Sequence, residues 1–169
     1  MNLRIDTHVH IFRRDAPFAA GRRYAPDYDA SPEALRAQMA TVGVGRAILV
    51  QPSFLGFDNT YLLAAIAAAP EAFAGVAVVD PRTETAEIAA MQRAGIVGAR
   101  LNCIGRPAPD FAGAEVELAR RLAGLGMALQ IQAEGAQWRA MEAFLSDPPG
   151  RVVIDHFGRS PADAPAWRE

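Results

Sequence analysis

Three histidines are the side chains of this sequence best suited to catalysis. His8 and His10 form a His-x-His pair near the start of the chain, and His156 lies in the segment IDHFG. Residues two apart on a β-strand point to the same face, so both imidazoles of the pair reach one point. Imidazoles placed in this way bind a metal ion or polarise a carbonyl oxygen. Each histidine alone is more typical of a structural hydrogen bond, but the three together at predicted strand ends favour catalysis.

Two arginines and a serine predict a binding site for an anion. Arg100 and Arg106 lie at and just after a predicted strand end, where a guanidinium can bind a carboxylate through two hydrogen bonds. The alternatives are that Arg100 pairs with an acid of the sheet such as Glu134, and that Arg106 is a solvated loop residue. Ser53 either donates to a substrate carboxylate or only ends its strand. We therefore expect a small anionic substrate.

Alternating sequence patterns predict the elements that carry these residues. Short β-branched segments alternate with stretches of helical spacing, which is typical of βα units around a parallel sheet. The predicted strands are 3–10, 46–53, 73–80, 96–102, 127–133 and 151–157. The predicted helices are 31–42, 61–69, 83–94, 113–125 and 135–146. Polar residues recur at the carboxyl ends of the strands, where ligands bind in parallel α/β folds.

Length and composition exclude several classes of function. The chain has 169 residues, one cysteine and a net charge of −2, which fits one domain without an internal disulfide. It lacks the concentrated positive charge that nucleic acid or an anionic membrane requires, and it has no export signal or membrane-length apolar segment. All 17 basic residues are arginine, so no lysine is present for Schiff-base chemistry. We expect a soluble, cytoplasmic protein, with self-association into a homo-oligomer left open.

Four segments resemble a known family. They are DTHVH in the first predicted strand, ILVQPSFLGFDN in the second, GARLN in the fourth and VVIDHFGR in the sixth. With RRYAP at 22–26, they make the chain similar to the amidohydrolase superfamily over nearly its whole length. Within that superfamily, the sequence resembles the branch of 2-pyrone-4,6-dicarboxylate lactonase and related lactone hydrolases.

The resemblance implies a fold and a reaction. The fold is a TIM-like (β/α)₈ barrel of the metal-dependent hydrolase type, and the reaction is hydrolysis of a lactone ring with His8, His10 and His156 as catalytic residues. An aspartate at the end of strand eight is implied as the general base on water. A complete barrel runs to roughly 250 residues, so residues 1–169 are expected to form one incomplete barrel domain of about six βα units that lacks this base.

The resemblance also concerns the substrate site. Arg100 and Arg106 match positions at which the family binds carboxylates. Gln132 stands where the resemblance implies a tyrosine, which indicates a different lactone while keeping Gln132 a candidate substrate contact. Tyr24, with Arg22 and Arg23, is either part of a lid over the substrate or part of a solvated basic loop.

No cofactor is required by this interpretation. Zinc normally takes three or four protein ligands, and the chain offers His8, His10, His156 and Asp6. We therefore expect no metal, or at most a single divalent ion such as zinc held by the three histidines. The alternative functions are a metal-dependent decarboxylase of the same superfamily and an inactive, truncated remnant.

Overall fold

The fold is a single six-stranded parallel sheet with helices between the strands. The computed structural model describes residues 4–106, 111 and 113–159. The strands run in sequential order and are β1 (Ile5–Val9), β2 (Arg46–Val50), β3 (Phe73–Val78), β4 (Ile96–Asn102), β5 (Ala128–Gln132) and β6 (Val152–Ile154). All six predicted strands are confirmed. β6 is shorter than predicted, because the chain leaves the sheet after Ile154.

The helices connect consecutive strands. They are α1 (Pro32–Val42), α2 (Thr60–Ala68), α3 (Thr85–Arg93), α4 (Ala114–Gly124), α5 (Ala136–Ala140) and α6 (Glu142–Ser146). The single helix predicted over 135–146 is wrong, since the segment is broken at Met141 into α5 and α6. α1 begins as its sequence predicts, because the Ser31 hydroxyl accepts a hydrogen bond from the Ala34 amide and Pro32 occupies the first turn.

Apolar side chains pack the helices against the sheet. Leu49 and Leu129 on the strands are fully buried, as are Leu62 on α2 and Leu118 on α4. Helices that cover a parallel sheet exclude water from one of its faces. Within the described residues, no helix is both long and apolar enough to span a membrane.

The loop after β1 covers the carboxyl end of the sheet. Phe12 and Ala30 exchange backbone hydrogen bonds of 2.9 Å, which bring the two ends of the loop together. Phe12 and Phe54 stack edge to face with ring centroids 5.2 Å apart, in a small apolar cluster separate from the main core. This packing places the loop above the strand ends where the predicted site residues lie.

Candidate functional site

A buried carboxylate, Asp155, lies at the centre of the site. Its Oδ1 is 3.1 Å from Nδ1 of His8, and its Oδ2 accepts hydrogen bonds from Nε of Arg100 at 3.0 Å and from Nη2 of the same side chain. Nε2 of His156 is 3.7 Å from Oδ2, which is too long for a hydrogen bond. Asp155 is 3% exposed and Arg100 is 2% exposed. The carboxylate therefore joins residues from β1, β4 and the end of β6.

Hydrogen bonding keeps Asp155 ionised. Burial alone would raise its pKa, but the hydrogen bond to His8 and the charge and hydrogen bonds of Arg100 outweigh burial and hold the pKa well below its usual range. Burial lowers the pKa of Arg100, yet a guanidinium remains charged at neutral pH. The pair therefore brings two opposite charges into the base of the site.

His10 is neutral, and its tautomer is fixed by the backbone. Its Nδ1 lies 2.7 Å from the carbonyl oxygen of Val50. Since a carbonyl only accepts, Nδ1 must carry the proton and Nε2 must carry the lone pair. Burial lowers the pKa of His10 to about 4, against the opposing effect of this hydrogen bond. At neutral pH, Nε2 of His10 is thus a hydrogen-bond acceptor.

The two ring nitrogens of His8 have different surroundings. Its Nδ1 lies 3.1 Å from Oδ1 of Asp155 and 3.3 Å from Nε2 of Gln130, and a proton on Nδ1 would serve the carboxylate, since the Gln130 NH2 group can only donate. Nε2 of His8 is buried and has no hydrogen-bond partner among the described residues. The ring centroids of His10 and His156 each lie 5.0 Å from that of His8. All three predicted histidines are therefore brought together.

His156 reaches this cluster in a different way from the one predicted. The alternation of β6 predicted that His156 would point in line with Val152 and Ile154. Instead, the strand ends at Ile154, and His156 lies in a tight turn with φ 50° and ψ 42°. The left-handed turn, rather than the strand, aims the half-exposed ring at His8.

A cavity of about 440 Å³ is connected to the cluster around Asp155 by Arg100, which lines the cavity and pairs with Asp155, while none of the three histidines is among the described lining residues. Its lining includes Ser53, Arg22, Arg23 and Arg106, with Glu115 as an acid on the same wall. Among the described residues, neither Arg23 nor Arg106 has an acidic group within ion-pair distance. The cavity therefore has uncompensated positive charge, which favours an anionic ligand.

Arg100 makes an ion pair, but not with the predicted acid. The alternative partner predicted for Arg100 was Glu134, and the structure pairs Arg100 with Asp155 instead. Oε2 of Glu134 is 3.8 Å from Nε of Arg159. Arg100 also lines the cavity. Its direct contact with a substrate therefore stays a prediction.

The other predicted contacts take different places. Tyr24 is 57% exposed and packs its ring against Phe54 at 5.1 Å, so it lies outside the cavity lining. Gln132 is 6% exposed, and its Oε1 has no partner among the described residues. Cys103 also lines the cavity, but burial raises the pKa of its thiol to about 11, so it is a poor nucleophile at neutral pH.

Sequence reasoning missed Asp155. A strict period of two along 151–157 placed it on the face opposite His156, away from the site. The available signal was an arginine, Arg100, on an otherwise buried strand, because a buried guanidinium requires a carboxylate partner. Asp155, preceded by three apolar residues, was the acid in the best position to provide it.

The side chains around Asp155 include one group of potential metal ligands. Donor atoms of His8, Asp155 and His156 all lie within 4.8 Å of one another. Nε2 of His8, without a hydrogen-bond partner in the described part of the chain, fits a metal ligand, but both oxygens of Asp155 are already engaged by His8 and Arg100. A cation here would compete with the Arg100 guanidinium for its carboxylate ligand, so the described residues fit an ion poorly.

Comparison with known families and proteins gives one consistent result. The sequence pattern of a family described as amidohydrolase matches residues 5–169. A 2-pyrone-4,6-dicarboxylate hydrolase of Comamonas testosteroni is 33% identical over 159 residues, which cover 92% of this chain and 52% of that protein. A D-galactarolactone isomerase of Agrobacterium fabrum is 28% identical over 92% of this chain and 48% of its own length. The chain thus spans about half the length of these relatives.

Solved structures share the fold. A probable 2-pyrone-4,6-dicarboxylic acid hydrolase from Acinetobacter baumannii, with citric acid bound, is 34% identical with a TM-score of 0.88 over 94% of this chain and 60% of that one. The corresponding protein from Pseudomonas putida is 38% identical with a TM-score of 0.84, over 96% and 60% of the two chains. A Burkholderia multivorans amidohydrolase with bound zinc, at 22% identity and a TM-score of 0.77, covers 94% of this chain and 59% of its own and shares the fold alone. The curled, partial barrel confirms the predicted fold class.

Proposed function

The chain belongs to the amidohydrolase family, and we propose that it forms the histidine-bearing part of a hydrolase that opens the lactone ring of a carboxylated substrate. The observation that carries this proposal is the buried Nε2 of His8, which has no hydrogen-bond partner among the described residues, together with a cavity whose Arg23 and Arg106 have no acidic partner there. Two of the relatives are named as hydrolases of carboxylated or sulfonated cyclic esters. The same positive cavity suits an anionic substituent on such a ring.

The cavity would hold the carboxylate of the substrate. Arg106 and Arg23 offer guanidinium groups without an acidic partner among the described residues, and Ser53 adds a hydroxyl on the same lining. A carboxylate bound there is attracted by positive charge and fixed by paired hydrogen bonds. Arg100 is buried and paired with Asp155, so it would hold the Asp155 carboxylate in place. The part of its guanidinium that lines the cavity would contact the substrate.

The histidines would act on the ester group. With Nδ1 held by Asp155, the His8 ring would present Nε2 to the carbonyl oxygen of the ester. Nε2 of His10 can only accept at neutral pH, so it would orient the attacking water by accepting a hydrogen bond from it. The general base, by resemblance an aspartate of an eighth strand, would lie outside these residues.

We propose that this chemistry does not require a metal. The pairing of Asp155 with Arg100 leaves the group of His8, Asp155 and His156 without a free carboxylate oxygen for an ion. The alternative, a metal-dependent decarboxylase, needs that ion. Elemental analysis and product analysis separate the two: one tightly bound equivalent and release of carbon dioxide would support the decarboxylase.

Binding of a plain dicarboxylate tests the anion site. We expect succinate to perturb the amide NMR resonances of residues around the cavity in the 169-residue chain. Arg106→Gln should weaken this binding by about tenfold, since it removes a charge-assisted hydrogen-bonded pair. Arg93→Gln, an exposed arginine on α3, serves as the matched control and should leave the affinity unchanged. Equal affinity in both variants would remove the anion site from the proposal.

Hydrolysis tests the assignment of the base. We expect the purified chain of residues 1–169 to leave 2-pyrone-4,6-dicarboxylate intact in a spectrophotometric assay, because the proposed base lies elsewhere. Measurable hydrolysis that disappears in His156→Ala would show that the base is among the residues described, and that the role given to the eighth strand is wrong.

A further inference from the structure

The side chain of Gln137 joins two loops at the carboxyl end of the sheet. Its Nε2 donates to the carbonyl oxygen of Cys103 at 2.7 Å and to that of Arg106 at 2.9 Å, while its Oε1 accepts from the backbone amide of Glu134 at 3.0 Å. Backbone carbonyls only accept and backbone amides only donate, so these bonds fix the orientation of the Gln137 amide. Both of its N–H groups therefore serve the loop after β4, and its oxygen serves the loop after β5.

The two carbonyls belong to the first and last residues of a turn. The backbone amide of Arg106 donates to the carbonyl oxygen of Cys103 at 3.1 Å, and Gly105 has a φ of 75°, a positive value that the third residue of a type II turn requires. The turn directly follows β4, and its residues Cys103, Ile104 and Arg106 line the cavity. A Cβ at Gly105 would lie 3.9 Å from Cδ of Arg23. The turn is therefore part of the cavity wall and lies beside a second arginine of that wall.

The backbone of this turn sets the position of Arg106. Arg100 is held by the carboxylate of Asp155, whereas no acid in the described part of the chain lies within ion-pair distance of the exposed Arg106. Gln137 fixes the turn at both of its ends. An anion that binds Arg106 therefore has less conformational freedom to remove, which favours binding.

The two bonds from Nε2 of Gln137 go beyond what the start of α5 needs. The bond from the Glu134 amide to Oε1 lies within the segment that begins this helix. The bonds from Nε2 leave that segment and reach residues 34 and 31 positions away in sequence. These long-range bonds therefore connect α5 to the cavity wall.

We propose that Gln137 is a positioning residue of the anion site, which holds the Cys103–Arg106 turn so that the Arg106 guanidinium is presented to the carboxylate of the substrate. This inference rests on the proposed function and adds a residue that is not among the described lining residues of the cavity. Arg106 contacts the anion, and Gln137 acts only through the turn. The loops after β4 and β5 then respond to the ligand as one unit.

Substitution of Gln137 by methionine tests this role with succinate as the probe. Methionine keeps the length of the side chain and removes both donors. We expect Gln137→Met to weaken succinate binding by about fivefold in NMR titrations of the 169-residue chain, because the turn must then be ordered when the anion binds. Gln92→Met is the matched control. Gln92 also donates to a backbone carbonyl, that of Leu125 at 2.8 Å, away from the cavity lining, so this variant should keep the affinity.

A double-mutant cycle separates positioning from general damage to the fold. Arg106→Gln removes the guanidinium that Gln137 is inferred to position. In the Arg106→Gln background, Gln137→Met should therefore change the succinate affinity by less than about twofold. An equal loss in both backgrounds would show that the effect bypasses Arg106, and it would overturn the inference.

The other outcomes distinguish this inference from the proposed function. If Arg106→Gln weakens succinate binding and Gln137→Met does not, the positioning role is wrong and the anion site stands. If succinate does not bind the unmodified chain, the anion site fails and the inference fails with it. Circular dichroism and a melting curve establish folding. If Gln137→Met does not fold, Gln137→Ala, which favours the helix, carries the same cycle.

Discussion

At the scale of single residues, Asp155 organises the site. It is bound by His8 from β1 and by Arg100 from β4, while it follows β6 directly in sequence. It supplies the opposite charge that an arginine only 2% exposed requires. The same carboxylate holds Nδ1 of His8 and leaves Nε2 toward the ligand. The stability of the fold and the orientation of the His8 ring therefore both depend on the side chain of Asp155.

Asp155→Asn is expected to destabilise the fold. The substitution keeps the size of the side chain but leaves the charge of Arg100 buried without compensation, a loss of about 3–5 kcal/mol in the free energy of unfolding. Urea unfolding at pH 7, followed by circular dichroism, measures it. Asp15→Asn is the control, since it breaks the exposed ion pair of Arg13 and should change stability little. Equal effects would contradict the central role of Asp155.

The Asp155 carboxyl should also shape the dependence of stability on pH. Its folded-state pKa lies well below the unfolded value, so the folded state binds fewer protons. The resulting stabilisation is complete above the unfolded pKa of about 4 and is lost as the pH falls below it. Urea midpoints between pH 7 and 3 should therefore fall more steeply for the unmodified chain than for Asp155→Asn. Parallel curves would show that another acid dominates.

The residue pattern revealed part of this site. The chemical identity of His8, His10 and His156, and their places at strand ends, predicted that they converge, and they do. The tautomer of His10 was not predictable, because it depends on a backbone carbonyl 40 residues away. The role of Asp155 was not predicted, because the period of two was extended past the end of β6.

At the scale of elements, the turn after β6 is the least regular part of the site. His156, Phe157 and Gly158 all have positive φ values, between 50° and 73°. Two of the three are not glycine, so the turn holds backbone strain. Nε1 of Trp138 on α5 donates to the carbonyl oxygen of Gly158 at 2.6 Å, which fastens the turn to the helix layer. The turn that presents His156 is therefore held in place by tertiary packing.

Gly158→Ala is expected to destabilise this turn. A Cβ at Gly158 would meet Nε1 of Trp138 at 3.4 Å, an ordinary contact, so the cost of about 1 kcal/mol comes from the positive φ of 73°. Thermal unfolding measures it. Gly124→Ala, at the end of α4 where nothing lies within 4 Å of the added methyl, should instead stabilise or leave the chain unchanged. A stabilising Gly158→Ala would show that the turn adopts another conformation.

The elements were more predictable than their ends. The alternation of β-branched segments with stretches of helical spacing located the six strands, and the helix predicted over 31–42 begins at its Ser31 cap. The break at Met141 was not visible, because the residues of 136–146 suit one continuous helix. At the break, Met141 has φ −99° and ψ 2°, and both Met141 and Trp138 are buried.

At the scale of the whole molecule, the sheet has two free edges. Among the described residues, β1 pairs only with β2 and β6 pairs only with β5. Ile154 on β6 is 43% exposed, and Phe157 in the turn beyond it is fully exposed. An exposed strand edge with apolar side chains offers a surface for pairing with another chain. In the related structures, this chain matches about 60% of a longer barrel.

We therefore expect the 169-residue chain to self-associate through β6. Ile154→Lys should shift the population toward the monomer in size-exclusion chromatography with light scattering, because a charge at a sheet edge disfavours pairing with a second edge. Val42→Lys provides the matched control, since Val42 is 56% exposed on α1 and lies away from the sheet edge. If both variants associate as the unmodified chain does, the contact lies elsewhere. If both become monomeric, general surface hydrophobicity rather than the strand edge drives association.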